Sequence, residues 1–199
     1  MTDEEWNGKS SSEMLSEVQP HASSRKLRLF ACACCFVFTK GLETDRGNEL
    51  VRIAESYADD EIQLSQLDDA RLRWKAKSSS TVDFDDQLYH MVSMLLGQSA
   101  HKAFWAIPAN ALLGAKSHLL RDIFGNPFNP VTVDPRWLTS NVVDLANAIY
   151  SERAFDRMPI LSDALMDAGC DDDVIIAHCR SEGPHVRGCW VVDLLTGRK

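Results

Sequence analysis

The sequence predicts an all-α fold, a single globular domain of about nine helices with one extended, proline-rich connection. Three observations predict it. Apolar residues recur at three-and-four spacing through most of the 199 residues. Capping residues and glycines punctuate that pattern at the intervals of ordinary helices. Strand signals are poor throughout, and Val131–Val133 is too short to build a sheet on.

Ser23 or Ser24 caps a helix from Arg25 to Lys40, and Gly41 stands where its left-handed stop belongs. Asp45 caps a second helix, with Leu50, Ile53, Ala54, Tyr57 and Ala58 on one face. A third, from Glu61 to Lys77, carries Ile62, Leu64, Leu67, Leu72 and Trp74 in a weaker period. Ser78-Ser79-Ser80-Thr81 reads as a loop, which puts a candidate subdomain boundary at 78–83 within the 1–199 domain. Phe84-Asp85-Asp86 opens a long helical stretch striped by Leu88, Met91, Val92, Leu95 and Leu96. The stripe resumes from Ala103 to Leu113, with Pro108 a kink or break.

His118–Phe124 is a short helix, and Gly125–Pro135, with Pro127, Pro130 and Pro135, is the extended connection. Val142, Val143, Leu145, Ala146, Ile149 and Tyr150 form one face of the next helix. Pro159 starts another, which Gly169 ends. Asp171-Asp172-Asp173 places negative charge at the start of a helix running to Arg180, favouring its dipole. A Gly183-Pro184 loop leads to a last helix from Cys189 to Leu195.

A net charge of −8 with dispersed basic residues argues against nucleic acid or an anionic membrane as partner, since both need clustered Lys and Arg. The N-terminus, Met1-Thr2-Asp3-Glu4-Glu5, is acidic where a secretory signal is basic. The longest strongly apolar run, Leu29–Phe38, is far short of the roughly 20 residues that cross a bilayer. A cytoplasmic protein with reduced thiols is expected, so its six cysteines do not imply disulfides.

Those cysteines sit in two groups. Cys32, Cys34 and Cys35 crowd the first apolar helix, while Cys170, Cys179 and Cys189 fall near the end with His178 and His185 among them. On a helix Cys32 and Cys35 share a face and Cys34 points to the core stripe of Leu27, Phe30, Val37 and Phe38. Zinc favours mixed nitrogen and sulfur ligands, so Cys32 and Cys35 could join Cys179 and Cys189, with Cys170, His178 or His185 as a further ligand. The metal candidates are therefore Cys32, Cys35, Cys179, His185 and Cys189. Against this stands the spacing, which matches no common zinc knuckle, and the tendency of free cysteine to pack as a small hydrophobe. Core packing without a cofactor is the simpler expectation.

Catalytic patterns are incomplete. Gly188-Cys189-Trp190 resembles the nucleophile of papain-like proteases but has no downstream histidine. Gly97-Gln98-Ser99-Ala100-His101 lacks the second glycine of a nucleophile elbow. Gly114-Ala115-Lys116-Ser117 lacks the upstream glycine and strand of a phosphate loop. Arg180 and His185 match the Arg-x4-6-His spacing of helical HEPN ribonucleases, which need both side chains held together at a helix end. The loop from Arg180 to Gly188 is dense in turn formers, and His178, Arg180, His185 and Arg187 are its candidate binding residues.

Arg25-Lys26-Leu27-Arg28-Leu29-Phe30-Ala31-Cys32-Ala33-Cys34-Cys35, His118–Phe128, Glu152–Leu161 and Pro184–Asp193 carry a resemblance across almost the whole chain. In these motifs the sequence resembles a large uncharacterised family of planctomycete proteins. Phe36 stands where such relatives usually carry Arg, and the Asn-Asp-Gly insertion common near Thr139 is missing. The resemblance implies no activity, fold or ligand. The functional expectation is a non-catalytic interaction or regulatory protein with a protein partner. A Cys/His zinc protein, structural or catalytic, is the alternative, and a nuclease using Arg180 and His185 is a third.

Overall fold

The structure, a computed structural model, describes residues 1–39, 45–78, 92–105 and 115–199. Among these residues the regular structure is helical throughout and contains no strand, as the spacing of apolar residues predicts. No described helix is long and apolar enough to cross a membrane. The chain divides into two compact units: Ala22–Lys116, and Met1–His21 together with Ser117–Lys199. The expected Gly41 stop, all but Ser78 of the loop and candidate boundary at 78–83, the helix opening at Phe84, the break at Pro108 and Gly114 lie outside the described residues.

Two helices precede the first one expected from the sequence: α1 (Asp3–Asn7) and α2 (Ser11–Val18). Both begin with a capping box. Thr2 Oγ1 accepts the Glu5 amide while Glu5 accepts that of Thr2, and Ser10 and Glu13 repeat the exchange. Trp6, Met14 and Val18 are their buried side chains. Neither helix is long enough to show a clear apolar period, which is why their caps are the stronger signal.

The Ala22–Lys116 unit holds α3 (Ser24–Thr39), α4 (Asp45–Ala58), α5 (Leu64–Ser78) and α6 (Ala100–Trp105). Helix α3 packs on α4 and α6, with the Phe30 and Phe104 rings 5.3 Å apart. Helix α5 starts three residues later than its sequence pattern suggests, because Asp60 turns the chain at φ 57° and Gln63 N donates to Gln66 Oε1. Arg28, only 3% exposed, donates to the carbonyls of Leu95, Gly97 and Gln98 at 2.6, 2.8 and 3.0 Å, satisfying a helix end with a charged side chain.

The second unit continues with α7 (Ala115–Phe124), α8 (Ser140–Glu152), α9 (Met158–Asp167), α10 (Asp173–Arg180) and α11 (Trp190–Thr196). Single 3-10 turns at Pro135–Trp137 and Phe155–Arg157 precede α8 and α9. Helix α9 packs on α8 and α10, and α11 on α8. Their common core includes Val142, Ile149, Leu161, Leu165, Ile175, Val191 and Val192, all inaccessible to solvent. Helix caps follow the sequence closely: Asp172 Oδ1 accepts from Val174 N and Ile175 N at 2.9 and 3.0 Å, and Gly169 ends α9 at φ +84°.

All six cysteines are free and buried. Cys32 and Cys35, which share a face of α3, are sealed along with Cys34, so that face presents no thiol to solvent. Burial pushes the Cys35 and Cys179 thiols up to about 12 and Cys34 and Cys189 well above their ordinary value, so the surroundings favour the neutral thiol.

Candidate metal centre

Helix geometry carries an acid into the interior of the second unit. On α7, Leu119, Leu120 and Ile123 are fully buried. Asp122 lies three residues after Leu119 and so shares its face; it is 3% exposed. On α10, Ile175 and Cys179 are buried and His178, three residues beyond Ile175, follows the same face inward. The loop after α10 returns the chain to that point. Gly183 has φ +79°, and a Cβ there would stand 2.8 Å from His185 N, so only glycine allows the tight fold-back that delivers His185. Cys189 then caps α11, with Trp190 as its first residue. At Gly125, where φ is +58°, a Cβ would meet the Trp190 ring at 3.1 Å, so glycine also admits the indole.

These elements bring Asp122, His178, His185 and Cys189 together, each offering one ligand atom, all within 4.8 Å of one another. Asp122 Oδ1 accepts from His185 Nδ1 at 2.7 Å and lies 3.2 Å from His178 Nε2. Its other oxygen accepts from Val186 N at 2.9 Å. His178 Nε2 is also 3.2 Å from Cys189 Sγ. Burial pushes the Asp122 carboxyl up, but hydrogen bonds from His178 and His185 and their attraction outweigh it and hold it below the usual carboxylate range.

Proton positions follow from the partners. The Trp190 indole N–H donates to His178 Nδ1 at 3.1 Å; it can only donate, so the neutral His178 ring carries its proton on Nε2, facing Asp122 and Cys189. His185 Nδ1 faces the carboxylate, and Nε2 faces Ser181 O and Oγ, each at 3.3 Å. Ser181 Oγ donates to His178 O at 2.8 Å.

This is not a cysteine-protease arrangement. There the imidazole would join thiol and carboxylate through its two different nitrogens; here one nitrogen, His178 Nε2, faces both. Burial and the Asp122 charge also push the Cys189 thiol well up, against its use as a nucleophile. As a ligand set the group is coherent, because Asp, two His and Cys could hold a metal ion.

The residues expected from sequence are distributed as follows. His185 and Cys189 belong to the cluster, as does His178. Cys179 is buried on α10 outside it, and Cys32 and Cys35 are buried on α3 in the other unit. Arg180 pairs with Asp163 at 3.0 Å, so it and His185 have different partners. Arg187 lies over the Tyr150 ring at 4.8 Å. Asp122 has no counterpart among the expected ligands; it stands inside the His118–Phe128 motif, but as a candidate ligand it is only a lone acid on the apolar face of a short helix.

A cavity of about 920 Å³ borders the cluster on the side of Asp122, His178 and His185, with Arg121, Trp6 and Trp190 also in its wall. No family model, curated protein or solved structure matches this chain.

Proposed function

We propose that the protein is a zinc-binding helical protein whose centre is Asp122, His178, His185 and Cys189. The observation that carries this reading is the convergence of four ligand atoms within 4.8 Å. Zinc bound at 2.0–2.3 Å would set tetrahedral neighbours about 3.3–3.7 Å apart. The 2.7 and 3.2 Å contacts within the cluster would expand slightly, and the widest separation, up to 4.8 Å, would contract by about 1 Å. The chemistry agrees, since imidazole and thiolate select zinc over magnesium or calcium. Outer contacts agree as well: His185 Nε2 faces the Ser181 carbonyl and Asp122 Oδ2 takes the Val186 amide, the supports that orient metal ligands.

Metal uptake releases the Cys189 thiol proton, so affinity falls as pH falls. His178 must also shift its proton to Nδ1, which displaces the Trp190 indole hydrogen bond. Zinc uptake is accordingly expected to change tryptophan fluorescence. The sealed, protonated thiol argues for binding rather than covalent catalysis, in keeping with a regulatory or interaction role.

Elemental analysis tests the reading. Purified protein is expected to hold about one zinc per chain, and Cys189→Ala to weaken zinc by about a hundredfold or more. Protein that carries no metal and takes up neither zinc nor cobalt would leave Asp122, His178, His185 and Cys189 as a metal-free hydrogen-bond network.

A further inference from the structure

Four protein ligands fill a tetrahedral zinc shell, so the Asp122/His178/His185/Cys189 centre has no vacant position. Its surroundings are less closed than its shell. Cys189 is fully buried and does not border the cavity, whereas Asp122, His178 and His185 do. A metal held by these residues is therefore sealed on the sulfur side. On the carboxylate and imidazole side it is separated from solvent only by the ligands themselves.

The cavity measures about 920 Å³, within the range of sites that admit small organic molecules. Its wall approaches the ligands along two helices. Val174 stands four residues before His178 on α10, and His118 four before Asp122 on α7, so each lies on the same side of its helix as a ligand. Both are exposed and both line the cavity. Four acids, Asp3, Asp122, Asp173 and Glu182, share the described wall with one arginine, Arg121. Asp173 and Glu182 are exposed. Such a lining draws in a dication and repels an anion.

We propose that the metal of this centre is exchangeable, entering and leaving the folded protein through the cavity by direct transfer to and from small chelating molecules. The proposal rests on the metal reading above and deepens it: the centre takes up and gives up its metal without unfolding. Transfer needs no vacant position. A chelator in the cavity displaces the Asp122 carboxylate or an imidazole, one metal bond forming as another breaks, and zinc can pass through five-coordination on the way. When the last bond breaks, the Cys189 thiolate takes a proton from water. The metal leaves as the dication it arrived as, and no electron moves.

Cobalt(II)-loaded full-length protein tests this, its visible absorption followed while phenanthroline, a neutral chelator, or EDTA, an anion, removes the metal. The expected rate rises with phenanthroline concentration in native buffer, and EDTA is slower at equal concentration. Glu182→Gln is expected to narrow that difference. Val174→Trp, which fills part of the cavity and removes no ligand, is expected to slow uptake and loss alike by about tenfold and to leave cobalt affinity unchanged. Ala177→Phe, on the same wall, repeats the test if Val174→Trp does not fold. A rate that ignores chelator concentration and rises only with urea would show that the metal escapes by unfolding. That result would overturn exchange and leave the metal centre standing. Transfer that the folded cavity variants do not slow would overturn the cavity as the route. Cobalt bands that never form would overturn both readings.

Discussion

Asp122 is where the chemistry of single residues is most concentrated. One carboxylate, 3% exposed, serves two imidazoles and a backbone amide. Replacing it by Asn keeps one acceptor but puts an NH2 group where a donor already points, either Val186 N–H or an imidazole N–H. Asp122→Asn is expected to cost about 2–4 kcal/mol, read as a lower urea midpoint for the full chain. An unchanged midpoint would show that the carboxylate does not hold these groups. Residue types in the sequence pointed at three of the four cluster members. His178, His185 and Cys189 stand out because their ligating atoms are few and they lie close together. Asp122 was not legible, because acids on helices are usually solvated and its partner His185 lies 63 residues away.

At the scale of elements, caps and breakers were the reliable signals. Thr139, Asp172, Pro159, Gly169 and Gly197 all act at helix ends where their chemistry places them. Asp172 matters for the site, since α10 has only eight residues and carries His178 in its last turn. Asp172→Ala removes the acceptor of two amides and is expected to destabilise by about 1 kcal/mol, with Asp172→Asn nearly neutral, both read by thermal unfolding. Equal stability of the Ala variant would show that α10 is held by packing alone. The helices expected from the sequence begin only at Arg25, because α1 and α2 are too short for periodicity to reveal them and their Thr2-x-x-Glu5 and Ser10-x-x-Glu13 boxes stand without it. Those two short helices depend on burying Trp6, Met14 and Val18.

Across the whole molecule the buried thiols set a limit in alkali. Cys35 in one unit and Cys179 in the other are pushed up to about 12 from an ordinary value of 9.0. An unfolded chain releases these protons near pH 9 while the folded chain keeps them. Stability from this source is therefore intact below pH 9.0 and is lost as pH rises toward about 12, by up to about 1.4 kcal/mol per thiol per pH unit. Thermal midpoints are expected to fall between about pH 9 and about pH 11, and Cys35→Ala to flatten the fall. A midpoint that does not change over that range would mean the thiols ionise without unfolding.

The sequence by itself determined the helical class, the ends of most helices and the burial of Cys34, because period, caps and side-chain polarity act over a few residues. It also drew attention to the C-terminal histidines and cysteine. Only the tertiary structure decided which of these meet. Cys32 and Cys35 had suitable chemistry but ride on a helix of the Ala22–Lys116 unit. Asp122 had no metal-ligand spacing around it, yet helix packing in the second unit places it against His178 and His185. A ligand set is a matter of distance between atoms far apart in the chain, and that distance is fixed by how buried faces pack, which no local pattern encodes.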